Sequence, residues 1–163
     1  MKPHLISFLL LLTGSAASAQ LKAKVRCDPF DVDVLNGKVN SFKPNTGIDQ
    51  LKAAFPCFTS SEPEATTSKC CGTVAFADKG LVFFTSRDYV EIKPGFKGKM
   101  SIALLGAKRG SFFKTLGNPK IKDDNWDAYQ MSYGTLVLHY DRAGKVNLVQ
   151  FSTNGTESLS LCE

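Results

Sequence analysis

The 163-residue chain has only two histidines and one tryptophan, and it holds neither a Gly-x-Ser-x-Gly elbow nor a Cys-x-x-Cys pair. Each shortage removes a class of function. Without the elbow there is no sign of the sharp turn that lifts a serine nucleophile into a cleft. Without spaced cysteine pairs, zinc has no ready set of thiolates facing one centre. Long apolar runs are also scarce: Leu5–Leu12 is the longest, well short of the roughly 20 residues a helix needs to cross a bilayer. Acid is missing locally, with no Asp or Glu between Lys93 and Lys122.

What is present at the start of the chain is an address. Lys2, the apolar run and the small-residue site Ala17-Ser18-Ala19 before Gln20 read as a secretory signal peptide over residues 1–19, cleaved after Ala19. No Cys stands at the cleavage point, so the expected product is a soluble secreted or periplasmic protein without a lipid anchor. Residues 20–163 have the length of one domain with a real core. The formal net charge of +5 is mild and carries no nucleic-acid motif. No nucleic-acid partner, membrane-spanning segment or cofactor is expected.

All five cysteines, Cys27, Cys57, Cys70, Cys71 and Cys162, follow the cleavage site and face an oxidising compartment. The odd count leaves at least one outside any intramolecular bridge, and each choice of four allows three connectivities. The favoured bridge joins Cys57 to Cys70 or Cys71, closing the Ser-, Thr-, Glu- and Pro-rich loop Thr59–Lys69. Cys27 with Cys162 would tie the two ends of the domain.

Periodicity yields an α+β domain. Asn36-Gly37 between Val32–Leu35 and Lys38–Phe42 predicts a two-residue hairpin. Thr46, three residues before Asp49, reads as a capping box for a helix with Ile48, Leu51 and Phe55 inward, stopped by Pro56. Thr73–Ala77, Leu81–Ser86 and Tyr89–Lys93 read as an antiparallel meander, to which Met100, Ile102 and Leu104 add a fourth strand or a helix. A second helix over Ala107–Leu116, with Phe112, Phe113 and Leu116 on one side and stopped at Gly117-Asn118-Pro119, precedes strands at Tyr129–Tyr133, Gly134–Leu138 and Val146–Ser152. Thr46 with Ala107, Phe55 with Leu116, Gly72 with Gly134 and Gly80 with Gly144 align at offsets of 61 to 64 positions. The expectation is a tandem pair of helix-plus-antiparallel-meander units, residues 46–106 and 107–152, sharing one core.

The Leu116-Gly117-Asn118-Pro119 stop, the aromatic strand around Trp126–Tyr133 and the turn Asp141-Arg142-Ala143-Gly144-Lys145-Val146 resemble the repeat of β-lactamase-inhibitor-like proteins. They are also similar to the small lipoproteins of the outer-membrane β-barrel assembly machinery. The resemblance covers Thr46 to Ser152, and the lipoprotein Cys is missing. It implies a layered α+β domain that binds other proteins and performs no chemistry.

Candidate chemistry is sparse. His139 is the only histidine beyond the cleavage site, and a hydrolase built on it needs a serine or cysteine nucleophile beside it in a cleft. Asp123, Asp124 and Asp127 around Trp126 are carboxylates that a metal would need to find converging. The basic run Lys93, Lys97, Lys99, Lys108, Arg109, Lys114, Lys120 and Lys122 raises the local potential and is the first candidate contact surface. Trp126, Tyr129 and Tyr133 are the second, as an aromatic platform or a core strip. Asn154-Gly155-Thr156 is a glycosylation sequon for a eukaryotic secretory pathway. The expected function is a non-enzymatic binding module whose partner is a protein or an anionic envelope component. The alternatives are a small-ligand carrier with a pocket between helices and sheet, and an exported hydrolase using His139.

Overall fold

The computed structural model describes residues 25–64 and 71–162. The signal-peptide reading and Cys70 lie outside those residues. The described chain runs β1 (Phe30–Asp33), β2 (Lys38–Val39), α1 (Ile48–Ala54), β3 (Ser60–Glu62), β4 (Thr73–Phe76), β5 (Leu81–Phe84), β6 (Tyr89–Ile92), β7 (Gly98–Met100), α2 (Phe113–Leu116), β8 (Ile121–Lys122), β9 (Trp126–Met131), β10 (Gly134–Tyr140) and β11 (Val146–Ser152). Sheet dominates this α+β arrangement, and the helices are short.

Eight strands form one sheet in the order β3-β4-β5-β6-β11-β10-β9-β8, and every neighbouring pair is antiparallel. Two four-strand meanders, each preceded by a short helix, meet through their last strands, β6 and β11. The registers align side chains in rows across the sheet. Val74, Phe83, Val90, Phe151, Leu136 and Tyr129 form one row, and all are buried. Phe76, Leu81, Ile92, Val149, Leu138 and Asp127 form the next, so an acid ends an apolar row. Both helices lie on this side, with Leu51 of α1 and Phe112 beside α2 in the same core.

A second sheet, β2-β1-β7, closes the core, with β1 parallel to β7. Its Phe30 packs edge-on against Phe55 at 5.1 Å and Phe76 at 4.8 Å between ring centroids. That aromatic cluster joins the small sheet, α1 and β4. Beside it Cys27 is bonded to Cys57, with Cα atoms 5.6 Å apart.

Several expectations need correction. Cys57 pairs with Cys27, not Cys70 or Cys71, because the end of α1 packs beside the segment leading into β1; Cys162 is disulfide-bonded as well, and not to Cys27. The Asn-Gly hairpin is a four-residue loop, since β1 and β2 pair Asp33 with Lys38. Asp33 reorganises that turn: its carboxylate accepts the backbone N–H of Leu35 at 3.1 Å and of Asn36 at 3.2 Å. Only Gly37 of the pair takes positive φ, at 62°, and a Cβ there would collide with the Tyr133 ring. Thr46 does not cap α1, whose N-cap is Gly47. The predicted helix over 107–116 keeps only the turn Phe113–Leu116, because Gly106 and Gly110 stand at φ 80° and 84° and break the segment. Met100 extends β1's sheet, and the fourth strand of the first meander is β3. The offset anchors also fall out of step: Gly80 turns the second strand of its meander into the third, whereas Gly144 turns the third into the fourth.

Candidate binding surface

The basic run divides among separate parts of the fold. Lys93 follows β6 and pairs with Glu91 at 3.3 Å, Lys99 stands opposite Asp31 on β7, and Lys108 opposite Lys145. Lys97, before β7, donates its backbone N–H to Lys79 O at 3.0 Å. Lys114 lies on α2, and Lys120 and Lys122 lie at β8. From β6 to β8 are four strand steps, about 19 Å at the usual inter-strand spacing. All of these lysines are exposed.

Arg109 behaves differently. The segment before it follows β11 and the turn that leads into it: Gly106 N–H donates to Val146 O at 2.7 Å and Arg109 N–H to Gly144 O at 2.8 Å. This delivers the guanidinium to the end of β9. There it pairs with Asp127 at 2.5 Å and donates to the carbonyls of Asp123 at 2.5 Å and Asp124 at 2.9 Å. Its charge also lies 4.8 Å from the centroid of the Tyr140 ring, and the Tyr140 hydroxyl donates to Asp127 at 2.7 Å. Asp127 is thus a buried acid with a cation and a hydroxyl to satisfy it. The bond to Asp127 pushes the Arg109 pKa up, and burial pushes up Tyr140 and Tyr129. Arg109 is a clasp, not an open contact residue.

The aromatic candidates separate by side of the sheet. Tyr129 is 3% exposed and belongs to the core, which removes it from any platform. Tyr133 turns back over Gly37, and its hydroxyl donates to Val34 O at 2.9 Å, so it fastens the β1–β2 loop to the β9–β10 turn. Trp126 is half-buried on the other side, opposite His139 across β9 and β10.

His139 Nε2 lies 2.7 Å from the side-chain oxygen of Gln150, whose amide nitrogen donates to Glu91 at 2.9 Å. With Lys93 this makes a polar chain across β10, β11 and β6. No serine or cysteine stands in that chain. Among the described residues no group of three or more His, Cys, Asp or Glu side chains converges where a metal ion would sit. The sequon is engaged locally: Thr156 is buried and bonds Gln130 Oε1 through its hydroxyl at 3.0 Å, and the Asn154 carbonyl accepts from Thr135 at 2.8 Å. Cys71 is buried, and its carbonyl accepts from the Ser86 hydroxyl.

What remains open is the corner where α2 meets β8. Phe113 is 61% exposed at this corner; Ile121, 38% exposed, pairs with Ala128 and so faces the other side of the sheet from Lys122 and Asp127. Lys114 follows Phe113 on α2, and Lys122 lines the same cavity as Phe113. This cavity, of about 130 Å³, lies between the Phe113 ring, Pro119, Lys122 and the Arg109–Asp127 pair. The edge is β8, with no further strand beyond it among the described residues. Sequence reasoning found the lysines here but placed Phe113 inward with Phe112. It missed the Arg109–Asp127 clasp too, although Asp127 shares the alternation of Tyr129 and Met131, and an acid on a core-facing parity signals a buried partner.

Comparison of the chain with protein-family models, with curated proteins and with solved structures finds no match. No helix among the described residues is long and apolar enough to cross a membrane.

Proposed function

We propose that this protein is a secreted or periplasmic, non-enzymatic binding module that engages an acidic protein surface through the α2–β8 corner. The observation that carries the reading is the exposure of Phe113 beside Lys114 and Lys122 at a sheet edge. An exposed aromatic anchor flanked by lysines suits an acidic protein partner. The Cys27–Cys57 bridge supports export, because such bonds persist in oxidising compartments. The attachment of His139 to Gln150, without a nucleophile, favours binding over hydrolysis. We also read the two meanders, each led by a short helix and joined through their last strands, as descended from one duplicated unit, with strands matched in order from the sheet centre outward instead of at a fixed offset.

The test is capture from the native extracellular or envelope fraction by the wild-type protein and by a Phe113→Ser, Lys122→Glu variant. A protein retained by the wild type and lost with the folded variant is the expected result. Equal retention by both overturns the reading.

A further inference from the structure

The cavity at the α2–β8 corner has charge in its lining that the protein itself does not balance. Arg109, Lys122 and Asp127 line it, two cations against one anion, a net charge of +1. Asp127 is already engaged at both oxygens. Its Oδ1 accepts from Arg109 Nη2, and its Oδ2 accepts from Arg109 Nε at 3.1 Å and from the Tyr140 hydroxyl at 2.7 Å. Lys122 is different: the ion pairs among the described residues join Lys79 to Asp78, Lys93 to Glu91 and Arg109 to Asp127, and none reaches Lys122. Arg109 spends four of its five N–H donors on Asp127 and on the carbonyls of Asp123 and Asp124, which leaves one on Nη1.

The strand register explains why that cation stands here. Lys122 is opposite Asp127 in the β8–β9 pair, so both point to the helix-bearing side of the sheet, where α2 lies. Phe113 and Pro119 give the cavity apolar walls. Gly110 and Gly117, held at φ 84° and 73°, border it without side chains, and a Cβ at either would stand in open space. The volume of about 130 Å³ holds about four groups the size of a water molecule. That suits a carboxylate with one or two methylenes. A chain terminus, which brings its own amide and side chain with the carboxylate, is too large.

We infer that the α2–β8 cavity is a carboxylate subsite, which seats one glutamate or aspartate side chain of the acidic protein that this corner engages. This rests on the binding reading above and names the group it recognises. Lys122 Nζ supplies the charge, and Arg109, which lines the same cavity, has a donor left to share. Asp127 and the two carbonyls already fix the guanidinium, so binding does not have to order it. Phe113, at the mouth, covers the apolar stem of the incoming acid and the residue next to it. An exposed phenyl ring and an unpaired lysine thus serve one small site. A single charge-assisted contact at a surface is weak by itself and sensitive to salt.

Nuclear magnetic resonance titration of the isotopically labelled protein, its disulfides oxidised, with the blocked tripeptide acetyl-Ala-Glu-Ala-amide tests this. The expected result is a saturable shift of the Gly110, Gly117 and Asn118 amides at low salt, with a dissociation constant on the order of 1 mM. The Gln counterpart of the peptide, of the same shape and without charge, leaves those amides unmoved. Lys122→Gln weakens binding about tenfold and Lys122→Arg restores it, whereas Lys99→Gln, which removes the same charge from β7, changes it by less than about twofold. Equal shifts from the Glu and Gln peptides overturn the inference, as does Glu-peptide binding indifferent to Lys122→Gln, or no shift at a peptide concentration about fiftyfold above that constant. Binding of acetyl-Ala-Gln-Ala with a free C-terminus, but not of the blocked Glu peptide, overturns it in favour of a chain terminus. If the peptide fails while the folded Phe113→Ser, Lys122→Glu variant still loses the captured protein, the carboxylate subsite falls and the binding module stands. Capture indifferent to those two residues removes the module, and with it the occupant named here.

Discussion

The two halves of the molecule attach their leading segments to the shared sheet by different means. In the first, β1, β2 and α1 are held by the Cys27–Cys57 bond and a cluster of aromatic edges, Phe30, Phe42, Phe55 and Phe76. In the second, an irregular segment is held by one cation, Arg109, on a buried acid that ends an apolar row. The first device suits a segment with enough apolar surface to bury; the second suits one whose glycines break its helix and which carries Lys108, Arg109 and Lys114 without an acid. A charged clasp is demanding because neither partner survives the loss of the other.

That contrast predicts the largest effect at Arg109. Arg109→Ala leaves Asp127, 4% exposed as a side chain, without its cation and should cost about 3–5 kcal/mol in chemical denaturation. Asp127→Asn placed on top of it should recover part of that loss, since no unpaired charge is then buried. If the second substitution recovers nothing, the clasp is not the counterpart of the disulfide. Next comes Cys27→Ser with Cys57→Ser. The bridge spans 30 positions, for which loop-closure entropy gives about 3.6 kcal/mol. Hydrogen exchange should quicken in β1, β2 and α1 and stay unchanged in β9–β11; a uniform loss of protection would show that the halves are one cooperative unit.

Legibility follows a strand's place in the sheet, not the divide between the halves. Alternation predicts the starts of β4, β5 and β6 and overruns their ends by one or two residues; it gives β11 whole, stops two residues short on β10 and begins three residues late on β9. The edge strands β3 and β8, of three and two residues, are too short for periodicity to place, as is β7, whose Met100 belongs to another sheet. The lysines of the candidate surface were visible as a run without acids. Their division over the fold was not, because β7 leaves one sheet and β8 joins the edge of the other. Phe113 faces outward since the helix that would have turned it inward lasts a single turn.

Tyr89 supplies a smaller test that crosses the boundary between the halves. It is fully buried, its ring stacks on Phe84 at 4.5 Å, and its hydroxyl accepts the Cys162 backbone N–H at 3.2 Å. Burial pushes its pKa up to about 12 from an ordinary 10.0. A raised folded-state value means a contribution fully present below pH 10 and lost as pH climbs through about 12, on the order of 2–3 kcal/mol at most. Tyrosinate absorbance should show one group, absent in Tyr89→Phe, titrating near pH 12. Ionisation of that group near pH 10 would show the C-terminal segment to be loosely laid on β6.

The smallest effect compares two turns that use the same side chain. Asp33 accepts the backbone N–H groups of Leu35 and Asn36, and Asp141 accepts those of Ala143 and Lys145, each at 2.9 Å. Replacing either by Ala should cost about 1 kcal/mol, the net worth of such bonds. The turns differ in what surrounds them. The Asn36 side chain also donates to Asp33 at 2.7 Å, and that bond, with the backbone donors, holds the Asp33 pKa below its ordinary value. A lowered folded-state value means the contribution is present above the ordinary carboxylate range and disappears as pH falls through the lowered one. The gap between wild type and Asp33→Ala should therefore persist at pH 5 and close under stronger acid. Asn36→Ala should shrink that gap, because it removes the donor that ranks first in lowering the pKa. If Asn36→Ala leaves the acid response of Asp33 unchanged, the first-half turn is held by its backbone bonds alone, and the two turns are equivalent after all.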